Sequence, residues 1–397
     1  MFMKCSYAQN DCLLWKFIQV WVVLEMIRVL IVDDSALMRK HLTGLLESAG
    51  DFTTRAVRNG AEALAVLEED EFDVVTLDIN MPVMDGLTCL SRIMATNPKP
   101  VVMVSSLTQE GAEATLEALN LGAVDYVQKP DGTISLSIDK IERELVTKIR
   151  MASRARIRRS LGLTNRIINT HKRIETSTKR ASIPTPTRGP DRHGRAGLVL
   201  VGVSTGGPGT LEQILPYLEK GFPWPVLIAQ HMPGSFTGVF ARRLNGICQM
   251  PVVEVERQMP IEPSTIYIAK GDADLIVTRR GTGYSATPVP ASRDHLWHPS
   301  VERMVQSALD IFPADRLIGV QLTGMGDDGA SAMAQIQKRG GLTIAQNEDT
   351  CVVFGMPNEL IKRGGASIVL PSHKIAGQLN TWLNARGERM GERSYVS

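Results

Sequence analysis

The chain has 397 residues, 43% of them hydrophobic, and its 44 Lys and Arg nearly balance 42 Asp and Glu for a net charge of +2. That length suits about two globular domains, each with its own core, and so even a charge singles out no class of partner. The five cysteines, Cys5, Cys12, Cys89, Cys248 and Cys351, are scattered without paired spacing, which excludes a zinc or redox motif and fits reduced thiols in the cytoplasm.

Residues 1–25 hold an apolar run from Leu13 to Leu24, broken by Lys16 and Gln19. It is short for a membrane span and lacks a small-residue cleavage site. The expectation is a disordered leader or an upstream extension of the reading frame ahead of Met26, with no stable membrane insertion.

From Ile27 an apolar strand pattern ends in Asp33-Asp34-Ser35 and gives way to helical spacing at Leu37, Met38, Leu42, Leu45 and Leu46. The pattern recurs: Val74 to Leu77 ends in Asp78, Val101 to Val104 in Ser105, and Tyr126-Val127 leads to Lys129-Pro130. With helical segments at Gly60–Glu69 and Glu110–Leu121 between them, these strands predict a parallel sheet whose chemistry gathers at the carboxyl ends. Three carboxylates meeting there repel one another, and a hard divalent cation such as Mg²⁺ resolves the conflict.

Residues 27 to about 147 resemble a response-regulator receiver domain. The resemblance, carried by Thr76-Leu77-Asp78-Ile79-Asn80-Met81-Pro82 and Lys129-Pro130, makes Asp78 the phosphorylated aspartate. It implies Asp33 and Asp34 as the acidic pair that joins Asp78 around Mg²⁺, Ser105 as the switch hydroxyl and Lys129 as the phosphoryl contact. In this family the bond before that proline is often cis.

Between Arg150 and Ala196 the apolar periodicity fades, basic residues cluster from Arg154 to Arg180, and Pro184, Pro186 and Pro190 follow. This reads as a solvated linker. Aromatics for stacking and a recognition helix are both missing, so no nucleic-acid partner is expected.

The second domain opens with Leu198 to Val201 running into Gly202-Val203-Ser204-Thr205-Gly206-Gly207-Pro208-Gly209 and then a helical pattern. On these residues alone two readings stand: a nucleophile elbow that exposes the Ser204 hydroxyl, or a phosphate-cradling or structural turn. Two further strands end in Gln230-His231-Met232-Pro233 and in Thr323-Gly324-Met325-Gly326-Asp327-Asp328-Gly329. Serine, histidine and aspartate thus fall on three strand ends, as general-base activation of a hydroxyl requires. The order Ser, His, Asp differs from that of α/β-hydrolases. His295 and His298 compete as bases, although His298-Pro299-Ser300-Val301 precedes a helix and reads as cleft lining or a cap.

Together with Ala345-Gln346-Asn347-Glu348, these motifs resemble the CheB family of chemotaxis receptor methylesterases over residues 27 to about 380. The resemblance implies Ser204, His231 and Asp328 as the triad, with Asp327 at a variable position; an acyl-enzyme on Ser204 needs an oxyanion site, for which the backbone around Met325 and His231 is the expected source. It implies hydrolysis of glutamate methyl esters on methyl-accepting chemoreceptors to glutamate and methanol, and deamidation of receptor glutamines. Hydrolysis needs no cofactor, a histidine kinase is the phosphodonor, and phosphorylation activates. The segment Ala269-Lys270-Gly271-Asp272-Ala273-Asp274-Leu275 departs from the family, which often carries histidine there; this touches only the cleft rim.

The expected fold class is therefore α/β, with two doubly wound parallel-sheet domains. A flavodoxin-like receiver spans 26–147 and a Rossmann-like serine-hydrolase domain 196–385, with a leader at 1–25, a linker at 148–195 and a polar tail at 386–397. Two rivals remain at this point: a DNA-binding effector behind the receiver, which requires a compact helical second domain, and an esterase for small molecules.

Overall fold

The computed structural model describes residues 26–105, 108–129, 138–155, 197–281 and 283–393. The leader at 1–25, the Lys129–Pro130 bond, most of the basic linker, the end of the tail, Cys5 and Cys12 lie outside the described residues.

The first parallel sheet is built from β1 (Ile27–Val32), β2 (Phe52–Val57), β3 (Val74–Asp78), β4 (Val101–Ser105) and β5 (Asp125–Gln128). The crossover helices are α1 (Ala36–Ser48), α2 (Gly60–Glu69), α3 (Gly86–Thr96) and α4 (Gln109–Leu121), and α5 (Ile138–Ala152) follows β5. Ser35, Asn59, Asp85 and Thr108 each cap the following helix by accepting a backbone N–H, which explains why the chain turns helical there. The strand order is β2-β1-β3-β4-β5, and connections leave in opposite directions from β1 and β3. Asp33 and Asp78 follow or end those two strands, at the crevice where such sheets bind ligands.

The second sheet has seven parallel strands in the order β15-β14-β13-β6-β7-β10-β8. They are β6 (Leu198–Val203), β7 (Val226–Gln230), β8 (Val252–Val255), β10 (Ile266–Ala269), β13 (Leu317–Gln321), β14 (Leu342–Gln346) and β15 (Ile368–Leu370). Here the reversal falls between β6 and β13, whose carboxyl ends carry Ser204 and the 323–328 loop. A seven-stranded parallel sheet is not the helical effector that a DNA-binding regulator requires.

Helices α6 (Gly207–Ile214), α7 (Gly234–Asn245), α8 (Val301–Leu309), α9 (Ala330–Lys338), α10 (Met356–Lys362) and α11 (Ser372–Arg393) accompany the second sheet. A smaller antiparallel sheet, absent from the sequence reading, joins β9 (Met259–Pro260), β11 (Ala273–Arg280) and β12 (Gly283–Pro290). Two expected boundaries move: α5 runs to Ala152, beyond residue 147, and α11 runs to Arg393, into the stretch read as a polar tail.

The cores were expected to be separate. Instead the largest apolar cluster is continuous from Leu116, Leu119 and Tyr126 of the first domain to Leu211, Phe236 and Phe240 of the second. Helix α4 packs on α6 and α7, and the Tyr126 and Phe236 rings stack with centroids 4.6 Å apart. Among the described residues no helix is long and apolar enough to cross a membrane.

The close passage of α3 beneath the Asp78 loop generates a stability prediction. A Cβ on Gly86 would lie 2.1 Å from the Asp78 carbonyl oxygen, a clash with backbone. Gly86→Ala should lower the thermal midpoint by at least about 4 °C, the scale of a destabilisation near 1–2 kcal/mol. Calorimetry on the full chain checks this, and an unchanged midpoint would contradict the packing.

Candidate active site

In the first domain the carboxylates of Asp33, Asp34 and Asp78 each bring an oxygen within 4.8 Å of the others, two of them buried and Asp34 exposed. Arg39 donates to the carbonyls of Asp33 and Asp34 at 2.8 and 3.0 Å and so fixes the turn that presents them. Lys129 Nζ lies 3.0 Å from Asp33 Oδ2 and 2.8 Å from Asp78 Oδ2. Burial pushes the Asp78 carboxyl up, against the opposing pull of Lys129. The Lys129 ammonium is held above its ordinary value by Asp78 and Asp33, although burial opposes that. One lysine offsets part of the charge of three acids, so an all-oxygen donor set of this kind fits Mg²⁺. The Ser105 hydroxyl donates to the Gly111 carbonyl at 3.3 Å and accepts from Thr115 at 2.8 Å, which turns it toward α4.

In the second domain Ser204 follows β6 directly and is buried. Gly206 takes φ +74°, a left-handed geometry that reverses the chain into α6, and a Cβ there would meet Val352 at 2.5 Å. A Cβ on Gly202 would lie 2.4 Å from Val301, so the end of β6 touches the start of α8 only because that residue is glycine. Three buried glutamines fasten the strand-end loops. Gln230 donates to the carbonyls of Ser204 and His231 at 3.0 and 3.1 Å, Gln321 donates to the Asp328 carbonyl at 2.8 Å, and Gln346 accepts the Thr323 N–H at 2.8 Å.

His231 Nε2 lies 2.8 Å from Asp328 Oδ2. The same carboxylate accepts from the N–H groups of Val301 at 2.7 Å and Glu302 at 2.9 Å and from Ser300 Oγ at 3.1 Å. It thus sits on the N-terminus of α8, where unpaired N–H groups and the helix dipole favour negative charge. Burial works against ionisation of Asp328, but the bonds from His231, Glu302 and Val301 outweigh it and hold the carboxyl below the usual carboxylate range. With Nε2 donating to this carboxylate, Nδ1 of His231 is left buried and without a hydrogen-bond partner among the described residues. The Trp297 indole stacks on the imidazole with centroids 5.7 Å apart.

The alternatives fall elsewhere. Asp327 is exposed and pairs with Arg363 at 3.0 Å, and His298 Nδ1 bonds Asp274 Oδ1 at 2.7 Å. The oxyanion expectation needs a correction: the His231 N–H already donates to the Val203 carbonyl at 3.0 Å, which leaves Met325 as the candidate backbone group. Asp274 is the residue that sequence reasoning undervalued. Its segment reads as cleft-rim detail in the sequence, yet its carboxylate is fully buried and heavily bonded. The signal available was an acid within an otherwise apolar strand start. Cys89, Cys248 and Cys351 are free thiols that burial pushes up to about 12, so none of them is a ready nucleophile.

A receiver-type phosphorylation pocket on one doubly wound sheet and a histidine–aspartate pair beside a turn serine on another define a response regulator with an α/β enzyme as its effector. Comparison with known proteins narrows this. The family model for the response regulator receiver domain matches residues 29–137, and that for CheB methylesterase matches residues 199–379. The chain is 61% identical over 365 residues to protein-glutamate methylesterase/protein-glutamine glutaminase 3 of Rhodospirillum rubrum, covering 91% of this chain and 98% of that one. It is 52% identical over 366 residues to protein-glutamate methylesterase/protein-glutamine glutaminase 2 of Rhodopseudomonas palustris, covering 91% and 99%. The crystal structure of the Thermotoga maritima CheB methylesterase catalytic domain matches 47% of this chain and 97% of its own, with 37% identity and a TM-score of 0.45. The chain belongs to the CheB methylesterase family.

The depressed acidity of Asp328 has a testable sign. A carboxyl whose folded value lies below its unfolded value of about 4 stabilises the fold above that pH and loses the contribution as pH falls through the folded value. The gap in thermal midpoint between wild type and Asp328→Asn should therefore narrow between pH 6 and pH 3. A gap that widens on acidification would contradict the pairing.

Proposed function

We propose that the chain is a phosphorylation-controlled protein-glutamate methylesterase and glutaminase, with a receiver near 26–147, a linker and a catalytic domain near 196–385. The substrates are protein glutamate methyl esters and certain protein glutamines, as the names of the relatives suggest, and membership of the CheB family points to methyl-accepting chemoreceptors as the proteins that carry them. The single observation that carries the reading is the His231 imidazole. Its Nε2 is held by Asp328, its Nδ1 is buried without a hydrogen-bond partner among the described residues, and its backbone N–H bonds the carbonyl of Val203, the residue before Ser204.

In this reading Nδ1 of His231 takes the Ser204 proton as Oγ attacks the ester carbonyl, and Asp328 stabilises the imidazolium that forms. The N–H of Met325 faces the oxyanion. Collapse of the tetrahedral species breaks the C–OCH₃ bond, His231 returns the proton to the leaving oxygen, and methanol departs. Water, deprotonated by the same imidazole, then cleaves the acyl-enzyme to glutamate. A glutamine substrate follows the same path with ammonia as the leaving group. These steps call on side chains and backbone alone.

Control comes from the receiver. Asp33, Asp34 and Asp78 would hold Mg²⁺, whose charge would neutralise a phosphoryl group transferred to Asp78 from a histidine kinase. The new group's negative charge next to Lys129 favours drawing Ser105 away from α4. Helix α4 and the start of β5 are the parts that meet the catalytic domain. Thr205, the residue after Ser204, donates to Asp125 Oδ2 at 2.5 Å, and Arg243 of α7 bonds both Glu117 of α4 and Glu212 of α6. The unphosphorylated receiver therefore leans on the nucleophile turn. No stable membrane or nucleic-acid partner enters this reading, and a cytoplasmic location suits it.

Methanol release from methylated receptor membranes tests the proposal. Ser204→Ala should lose at least about a thousandfold in rate, and Asp327→Asn should stay within about twofold of wild type while Asp328→Asn falls far below it. Asp78→Asn should abolish the response to phosphodonor and keep the basal rate. A double variant, Asp125→Asn with Glu117→Gln, should raise the unphosphorylated rate, within the roughly 5- to 150-fold that allosteric coupling supplies. A slower double variant would mean that the receiver assists catalysis.

A further inference from the structure

Asp274 opens β11, and four donors converge on its buried carboxylate. Oδ1 accepts from His298 Nδ1 at 2.7 Å and the Ser300 N–H at 2.8 Å. Oδ2 accepts from the Ser292 N–H at 2.9 Å and Arg303 Nη1 at 2.8 Å. All four belong to the stretch 292–303, which leads into α8. Two of the donors carry or can carry positive charge, and charge-assisted bonds to a carboxylate are strong and directional. Burial opposes ionisation of Asp274, but His298, Ser300, Arg303 and Ser292 outweigh it and hold the carboxyl below the usual range.

What lies between and beyond these anchor points is the chemistry. Trp297, between the Ser292 and His298 anchors, stacks on the His231 imidazole with 12° between the planes. Ser300 gives its N–H to Asp274 and its Oγ–H to Asp328, so one residue ties the two carboxylates together. The next two N–H groups, of Val301 and Glu302, complete the cradle of Asp328. Asp274 touches neither Ser204 nor His231 through any hydrogen bond among the described residues, and its leverage on them runs through this one segment.

We propose that Asp274 is a positioning residue for hydrolysis, setting through residues 292–303 both the Trp297 stack on His231 and the N–H cradle of Asp328. The proposal rests on the reading of Ser204, His231 and Asp328 as the reacting set. An amide in place of the carboxylate keeps the shape but turns an NH₂ toward donors, so the segment must shift. A misplacement of about 1 Å can cost on the order of 100-fold in rate.

The test uses the full chain and methylated receptor membranes. Asp274→Asn should lower kcat by about 10- to 100-fold with KM changed by less than about threefold. His298→Leu should fall in the same direction, whereas His298→Asn, which places an N–H near the Nδ1 position, should recover most of the rate. The second readout is the fluorescence of Trp297, taken as the difference between each variant and its Trp297→Phe counterpart. The indole's emission depends on its stack against the His231 ring, so the difference spectrum should shift in Asp274→Asn relative to wild type. If Asp274→Asn fails to fold, the His298 pair decides by the same two readouts. Wild-type kcat in Asp274→Asn or in His298→Leu, or an unshifted Trp297 difference spectrum in either, would overturn the proposal. Ser204→Ala separates the two claims: near-wild-type activity there would sink the triad reading itself, whereas a Ser204→Ala slowed at least about a thousandfold beside a fully active Asp274→Asn would sink only the positioning role.

Discussion

The carboxylate of Asp328 on the N-terminus of α8 is the interaction on which the rest of the catalytic domain depends. A buried carboxylate is costly unless its charge and lone pairs are met, and three donors from Ser300 to Glu302 meet them before His231 is counted. Because an ionised carboxylate can only accept, Nε2 of His231 is the nitrogen that donates to it, and the proposed mechanism therefore uses Nδ1 as the base. The demands on Gly202 and Gln321 follow from the same point. One lets the end of β6 approach Val301, and the other holds the Asp328 backbone from β13.

The two sheets place their chemistry by one rule. In each, the chain leaves two neighbouring strands in opposite directions, and the crevice left at their carboxyl ends receives the candidate site residues. In the first sheet these are acids around a lysine, suited to a metal and a phosphoryl group. In the second they are a hydroxyl, an imidazole and a carboxylate. An apolar cluster joins α4 and β5 to α6 and α7, and the residue after Ser204 is bonded to the start of β5.

Much of this was legible in the chain. Strand patterns leading into Asp33, Asp78, Ser204, His231 and Asp328 placed these candidate residues at or just past strand ends, and the helices α2 and α4 fall within a residue of their expected limits. What escaped had physical reasons. The β11–β12 hairpin carries Arg279, Arg280 and prolines, so its alternation is weak. The shared core arises from long-range packing of Leu119, Tyr126 and Phe236, which no local period encodes. Asp274 reads as no more than part of the cleft rim in the sequence because its partners, His298 and Arg303, lie more than twenty residues away. The His231 N–H could be judged free or engaged only once β6 and β7 were seen to pair.

The central claim is that Ser204 is the nucleophile and His231 its base. Labelling by a small fluorophosphonate, followed by peptide mass spectrometry, measures this without receptor, kinase or metal. Covalent label should appear on Ser204 in the full chain, at a rate that collapses in His231→Ala. Label on any other residue, or undiminished labelling of Ser204 in His231→Ala, would contradict it.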